Sequence, residues 1–442
     1  MTASASPDDG SLPLEPRRYG LSRGFGALSI RNYRLYWLGQ VVTVSGTWMQ
    51  QVSLPWLVLA LDGTPLQLGV VAVLQFGPAF FLAPLGGVLA DRIDKRRALL
   101  AAHVAGLGQA VALFALAATG VINLPLVMVL ALWVGIVNGV EMPVRHSFAP
   151  DLVPRRLLAN AIALQAMAFN SARVVGPAIA GATIGAGTIA FGSTIAGVAA
   201  TMAFSSIAYT AVLIALLRMD PATIPRRTPP VPPRSVLASL REGIAFAHGN
   251  PIVLWPLVLM AGITAFGFNF QILLPLYARD VLATDATGYG TLFATLGIGS
   301  VTGSVTLAFM RRRPALALML GGCAFFAAGL IALSLARSVW VALPVAFLLG
   351  VSWMLAVNTV NATIQANVPD VLRGRVMALY VTVFVGSAPL GGLLSGALAE
   401  SFGTPAAFTI CATLALGVVA VVVAGLRSGS RRHGLGVTHI DG

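Results

Sequence analysis

The sequence predicts an all-α membrane protein with twelve transmembrane helices in two pseudo-symmetric six-helix bundles. Three observations predict it: the composition, the recurrence of long apolar runs, and an internal repeat offset by half the chain. Of 442 residues, 57% are hydrophobic and only 10% charged, and the mean hydropathy is +0.86. A water-soluble domain needs far more polar surface than that. Apolar runs of about 18 residues or more recur along the chain, each long enough to cross a bilayer as a helix. In hydrocarbon every backbone N–H and C=O needs a partner inside the protein, so only helices and closed barrels can span. The runs lack the two-residue alternation of barrel strands, which leaves helices.

In the first half the spans fall at about 33–59, 67–90, 98–119, 124–145, 157–183 and 192–217, and in the second at about 252–279, 288–310, 315–336, 339–362, 374–400 and 404–426. Residues 1–28, rich in Pro, Asp and Arg with no apolar core, read as a disordered cytoplasmic tail, and 427–442 as a cytoplasmic tail. The bundles then occupy 29–217 and 251–426, joined by a linker over 218–250. Prolines crowd the linker between Asp220 and Pro233 and keep that stretch extended. After it, Ser235 is placed to cap an amphipathic helix bearing Leu237, Leu240 and Ile244, which would lie on the membrane surface.

The repeat ties the halves together. Asn32 and Trp37 recur as Asn250 and Trp255, Pro55 as Pro275, and Gly69 as Gly288. Pro150-Asp151 recurs as Pro369-Asp370, and Arg156 as Arg375. Duplicated six-helix halves are the layout of transporters that rock one half against the other around a central site.

The net charge of +13 raises the question of a nucleic-acid partner, and the distribution of that charge excludes one. Of the 28 Lys and Arg, 25 fall in segments that the span count puts on one side of the membrane; Arg279 and Arg337 fall on the other, and Arg173 lies inside a span. That asymmetry is the positive-inside pattern and puts both termini in the cytoplasm. A single lysine among so many arginines points to GC-rich coding DNA, hence to a bacterial inner membrane. Cys323 and Cys411 stand alone in apolar runs and read as packing residues. The five histidines have no metal-ligand spacing, and no G-K-[ST] phosphate loop exists, so neither a metal, a cofactor nor ATP is expected. The string Gly20-Leu21-Ser22-Arg23-Gly24 matches a hydrolase elbow by chance, since it lies in a polar tail, and the chain is not expected to be an enzyme.

The turn after the second span reads Gly86-Gly87-Val88-Leu89-Ala90-Asp91-Arg92-Ile93-Asp94-Lys95-Arg96-Arg97. It resembles the loop signature of the major facilitator superfamily, with Asp94 where glycine is usual and Lys95 where arginine is usual. The resemblance implies a cytoplasmic gate that latches the halves in the outward-open state. Asp91 would then lie against the positive N-terminus of the eleventh helix near Asp370 and Arg375, and Lys95 would seek a carboxylate on the fourth, with Gly87, Arg92 and Arg96 completing the turn. The competing reading is a solvated basic turn that only enforces topology.

Two further strings, Glu141-Met142-Pro143-Val144-Arg145 and Phe169-Asn170-Ser171-Ala172-Arg173-Val174-Val175-Gly176-Pro177-Ala178-Ile179-Ala180-Gly181, are similar to the subgroup that contains the enterobactin exporters and related efflux proteins. The resemblance spans about residues 28 to 426 and implies a proton-driven exporter of a siderophore, drug or metabolite. Gly176, Pro177 and Gly181 also resemble the fifth-helix motif of antiporters, although such residues equally serve close packing alone. Glu141 and Arg145, four apart, share a helix face and can pair; they read as a gate or as the proton carrier. Arg173 reads either as an anion or charge-switching site in the central cavity or as a structural arginine satisfied by Asn170, helix carbonyls and water.

Polar and aromatic residues of the first, fourth, seventh and tenth spans are the candidates for the cavity lining: Gln40, Trp48, Gln51, Asn138, Asn269, Gln271, Trp353, Asn358 and Asn361. Each of them can equally bond a neighbouring helix. The expected partners are a small-molecule substrate, protons as the coupling ion, and membrane lipids, with the chain monomeric. An importer of the same fold and a transporter-like membrane sensor remain as rivals to an exporter.

Overall fold

A computed structural model describes residues 24–224, 236–267, 269–310 and 316–433, with the backbone alone at 83–92, 236–237, 239 and 429–433. The regular structure among the described residues is helical. The first half holds α1 Arg31–Ala60, α2 Pro65–Arg92, α3 Lys95–Ala118, α4 Leu124–Asp151, α5 Leu158–Phe191 and α6 Thr194–Leu217. A short helix, α7 Val236–Gly249, precedes the second half. There follow α8 Pro251–Gly267, α9 Phe270–Leu276, α10 Ala286–Phe309, α11 Leu316–Leu335, α12 Val339–Ala366, α13 Asp370–Phe402 and α14 Thr404–His433.

Among the described residues, eleven segments are long and apolar enough to cross a membrane, α8 and α9 together forming one of them. The twelfth span, α1, is 30 residues long but more polar. Gln40, Thr43, Gln50 and Ser53 are all buried on it, where this face of α1 packs against protein, while Leu38 and Val42 are exposed. On other helices Ile189 is 86% and Trp340 84% exposed, on the lipid-facing perimeter. The seventh span departs from the continuous helix that the sequence predicts. It breaks between Gly267 and Phe270 and ends in a π-helical turn, Tyr277–Val281.

Caps explain where several helices begin. The Asp94 carboxylate accepts from the Arg97 N–H at 3.1 Å and caps α3, a gain that accounts for aspartate where glycine is usual. Asn123 caps α4 in the same way, accepting from the Leu126 N–H at 3.0 Å, and Asp285 caps α10 through the Gly288 N–H at 3.0 Å. Ser235 lies outside the described residues; α7 itself lies against α13, with Glu242 paired to Arg375.

Small residues let the helices approach until backbone meets backbone, the way bundles gain contact where apolar surface supplies no driving force. Within the second half, a Cβ on Gly350 would come 2.0 Å from the Leu296 carbonyl oxygen, and one on Gly299 would come 2.0 Å from that of Phe347. The α2–α4 pair repeats this α10–α12 contact in the first half, Gly135 facing the Leu74 oxygen at 2.4 Å.

Both seams between the halves are made by helices that the repeat equates: α2 with α10, and α5 with α13. At one seam α2 meets α13, where a Cβ on Gly69 would lie 2.9 Å from the Gly392 oxygen and one on Gly396 would lie 2.5 Å from the Pro65 oxygen. At the other, α5 meets α10, and a Cβ on Gly290 would lie 2.7 Å from the Gly181 Cα. These approaches sit toward the face opposite the one that bears Lys95, Arg155 and Arg375. The two are called the far face and the basic face below.

Candidate transport site

α1 and α5 run side by side in the same direction. Tyr33 donates to the Ala161 oxygen at 2.8 Å, and the Trp37 indole donates to the Leu164 oxygen at 2.9 Å. Higher up, Gly176 has no side chain where Trp48 passes, and a Cβ there would sit 2.6 Å from the Trp48 Cβ. This register brings Arg173, halfway along α5, under the indole of Trp48. The guanidinium carbon lies 5.7 Å from the ring centroid. Trp48 also meets Phe169 edge-on at 5.6 Å and, across the seam, Phe293 of α10 at 6.2 Å.

Arg173 is only 6% exposed, and its Nε is buried with no hydrogen-bond partner. Among the described residues no carboxylate pairs with it. Asn170 does not satisfy it either: its amide donates to the Ala166 oxygen at 2.8 Å, while its own oxygen is buried without a partner. An arginine at the bilayer centre costs about 2.5–3.5 kcal/mol on insertion scales. Stacking on a desolvated tryptophan returns about 2 kcal/mol, which offsets part of the cost and leaves Nε without an acceptor.

The other candidates separate into groups. Gln51 and Gln271 join the halves, the Gln271 amide donating to the Gln51 oxygen at 2.9 Å. Asn269 stands at the break in the seventh span, its amide on the Ala265 oxygen at 3.2 Å and its own oxygen buried without a partner. Irregular backbone at membrane depth persists only where protein or a water-filled cavity covers it, so the break marks the central region. Gln40 is buried on α1 with its amide nitrogen unpartnered. Asn138 is half-buried on α4. Asn358 donates to Ser304 at 3.3 Å, and Asn361 accepts from Gln365 at 2.5 Å, so both bond neighbours in their own half. Trp353 is 2% exposed and packs between Phe326 and Phe384, ring centroids 5.2 and 6.3 Å away, in the core of the second half.

Charges gather at the basic face. Lys95 meets Asp151 at the end of α4, Nζ to Oδ2 at 2.6 Å, with Asp151 buried and Lys95 partly so. Arg96 donates to the Leu216 oxygen at 2.8 Å and to the Leu217 oxygen at 3.3 Å, tying α3 to α6. Glu141 and Arg145 pair within α4 at 3.0 Å, both largely buried. Asp370 pairs with Arg373 on the first turn of α13, and Arg375 pairs with Glu242 of α7. Each of these pairs stays within one half or between the second half and α7. Gly87, Asp91 and Arg92 lie in the stretch described by backbone alone. The partners Asp151 and Glu242 were missed as site residues by sequence reasoning, because each is far along the chain from the cation it neutralises.

At the far face the contacts cross between halves. The Leu66 N–H donates to Glu400 at 2.9 Å, and Trp56 stacks on Tyr289 at 5.6 Å. The described contacts therefore join the halves at the far face, while the basic-face ion pairs do not bridge them.

Residues 22–434 match the family model described as transmembrane secretion effector, a major facilitator family. The chain belongs to this family. Among similar proteins, the transporter is 26% identical over 383 residues to the staphyloferrin A transporter of Staphylococcus aureus, covering 84% of this chain and 91% of that one. It is 26% identical over 402 residues to the multidrug efflux pump Tap of Mycolicibacterium fortuitum, covering 87% and 93%. The enterobactin exporter EntS of Escherichia coli matches at 26% over 397 residues, 88% of this chain and 90% of the relative. Among solved structures, the nucleoside transporter NupG aligns with a TM-score of 0.71 at 10% identity, over 89% of this chain and 99% of that one. An inward-facing bacterial homologue of the lysosomal transporter Spinster aligns with a TM-score of 0.68 at 15% identity, over 92% and 96%. The transporter is thus a multi-pass membrane protein of the major facilitator fold that moves a small molecule.

Proposed function

We propose that this transporter exports a small organic solute from a bacterial cytoplasm by alternating access, driven by protons and acting as a monomer. The observation that carries the reading is the distribution of contacts. Among the described residues, Gly181–Gly290 and Gly69–Gly392 close the far-face seams, while the basic-face pairs Lys95–Asp151, Glu141–Arg145 and Arg375–Glu242 do not run between the halves. With the basic face in the cytoplasm, the side that the excess of Arg in its loops favours, this distribution supports an inward-open state. In the opposite state Asp91 and its turn approach the first turn of α13, where Asp370 and Arg375 stand. Export is supported by the names of the relatives, an enterobactin exporter and a multidrug efflux pump, and by Gly176, Pro177 and Gly181 on α5. Glu141, already neutralised by Arg145, serves as a gate residue in this reading.

Everted membrane vesicles energised by respiration test the proposal. They are expected to accumulate a substrate from a panel of siderophores, drugs and metabolites, and to lose the accumulation on addition of a protonophore. Accumulation by right-side-out vesicles alone would mean an importer, and uptake indifferent to the protonophore would remove proton coupling.

A further inference from the structure

We propose that Arg173 and Trp48 form a subsite for the anionic group of an aromatic organic acid, which makes the transported solute an anion at this point. The inference rests on the transport reading above and adds the substrate class to it.

Three observations carry it. First, Arg173 is more than nine-tenths buried and no described residue neutralises it. Its Nε stands with no acceptor, so the site offers a fixed positive charge and an unused donor. Second, the groups left without partners along the same two helices are mostly donors. The amide nitrogens of Gln40 and Gln165 are buried and unpartnered, as Arg173 Nε is. Gln165, Phe169 and Arg173 are spaced four apart, so they share one face of α5, with Gln165 nearest the basic face. A row of donors that ends in a guanidinium matches a carboxylate or another oxyanion, which accepts hydrogen bonds and offers none. A cationic solute would meet repulsion at Arg173, with the Asn170 oxygen as the one unpartnered acceptor among these buried atoms of α5. Third, the surroundings are aromatic. Phe169 is 41% exposed and stands edge-on to Trp48, which in turn covers the guanidinium. Phe293 approaches Trp48 from the second half, so both halves contribute to the wall. A flat apolar body can lie against the exposed Phe169 ring while its acid group is directed toward Arg173. Because the site lies where α1, α5 and α10 meet, an anion bound there touches both halves, and its affinity depends on which face is open.

Binding is measured directly on the full-length transporter in lipid nanodiscs, by tryptophan fluorescence and by thermal shift. Three probes of one shape are compared: 2-naphthoate, 2-naphthamide and 2-naphthylmethylammonium. The naphthoate is expected to bind, the amide at least tenfold more weakly, and the ammonium not at all. Arg173→Gln should weaken naphthoate at least tenfold and abolish its preference over the amide, while Arg173→Lys retains part of that preference. Trp48→Leu, which leaves the charge in place, should weaken naphthoate and naphthamide together. Equal affinity for the three probes, no naphthoate binding at millimolar concentration, or undiminished binding by a folded Arg173→Gln protein overturns the proposal. If Arg173→Gln does not fold, the probe series on the unmodified protein and on Arg173→Lys decides. A transporter that fails this test and still drives protonophore-sensitive uptake into everted vesicles remains an exporter of a neutral or cationic solute.

Discussion

A transporter with cysteines in place of Gly185 and Thr287, in a background of Cys323→Ala and Cys411→Ala, is expected to cross-link its two halves on oxidation and to stop transporting. A Cβ on Gly185 lies 3.5 Å from the Thr287 Cβ, at the short end of the ~3.5–4.5 Å range that a disulfide spans. The Thr287 hydroxyl that crowds this position disappears in the double variant, and the new sulfur atoms occupy its space. Gly185 belongs to α5 and Thr287 to α10, so the bond holds the far-face seam shut. A machine that must open that face to release its solute then has no cycle, and uptake into vesicles should fall to the level of vesicles without the protein. Reduction should restore it. The two native cysteines are buried on α11 and α14, outside the α5–α10 pair, and replacing them leaves the introduced pair as the chain's only thiols. Transport that continues with the bond fully formed would show that the seam does not open.

The second large effect separates glycines that hold a half together from glycines that hold the halves to each other. Gly350→Leu forces a side chain into the Leu296 backbone, where even a Cβ comes within 2.0 Å of the carbonyl oxygen. Neither helix can move aside without disrupting the packed interior of its own half, so the cost is expected to reach about 3 kcal/mol, the upper end of ordinary overpacking, or more. Folded protein should disappear from the membrane. Gly290→Leu meets the Gly181 Cα at 2.7 Å and the Pro177 oxygen at 2.7 Å, but these belong to the other half. The halves can part to make room. This variant is expected to fold and insert normally, to lose transport, and to lose the oxidative cross-link between cysteines at 185 and 287. Size-exclusion profiles and transport measured on both variants check the contrast; equal loss of folded protein would contradict it.

How much of this was legible in the sequence follows from what each signal measures. Span positions were legible because membrane crossing is a matter of length and apolarity, and the break at Gly267 was not, because apolarity continues through it. That the two seams are equivalent agrees with the repeat, which carries Gly69 onto Gly288 at the starts of α2 and α10, but which helices meet there was not legible. The Glu141–Arg145 pair is local and its spacing declares it. Lys95 was expected to find a carboxylate on the fourth span, yet Asp151 itself was not singled out, because it lies past the predicted end of that span. Glu242 pairs with Arg375 across more than a hundred residues, a distance over which periodicity carries nothing. Trp353 illustrates the deeper limit. Lipid and protein interior are equally apolar, so a membrane helix shows little amphipathic bias, and its sequence does not say which side chains turn inward. Arg173 escapes that limit, because a charge within a span must face protein or water.

The account depends above all on two rigid halves that exchange closure between the faces. Distances between paired spin labels measure this directly, with one pair at Arg155 and Val371 on the basic face and another at Asp62 and Phe402 on the far face, all exposed positions. As substrate and pH shift the equilibrium, the basic-face pair should shorten in the same molecules in which the far-face pair lengthens. Distances that change together, or a far-face pair that never lengthens under any condition, would contradict alternating access by this chain.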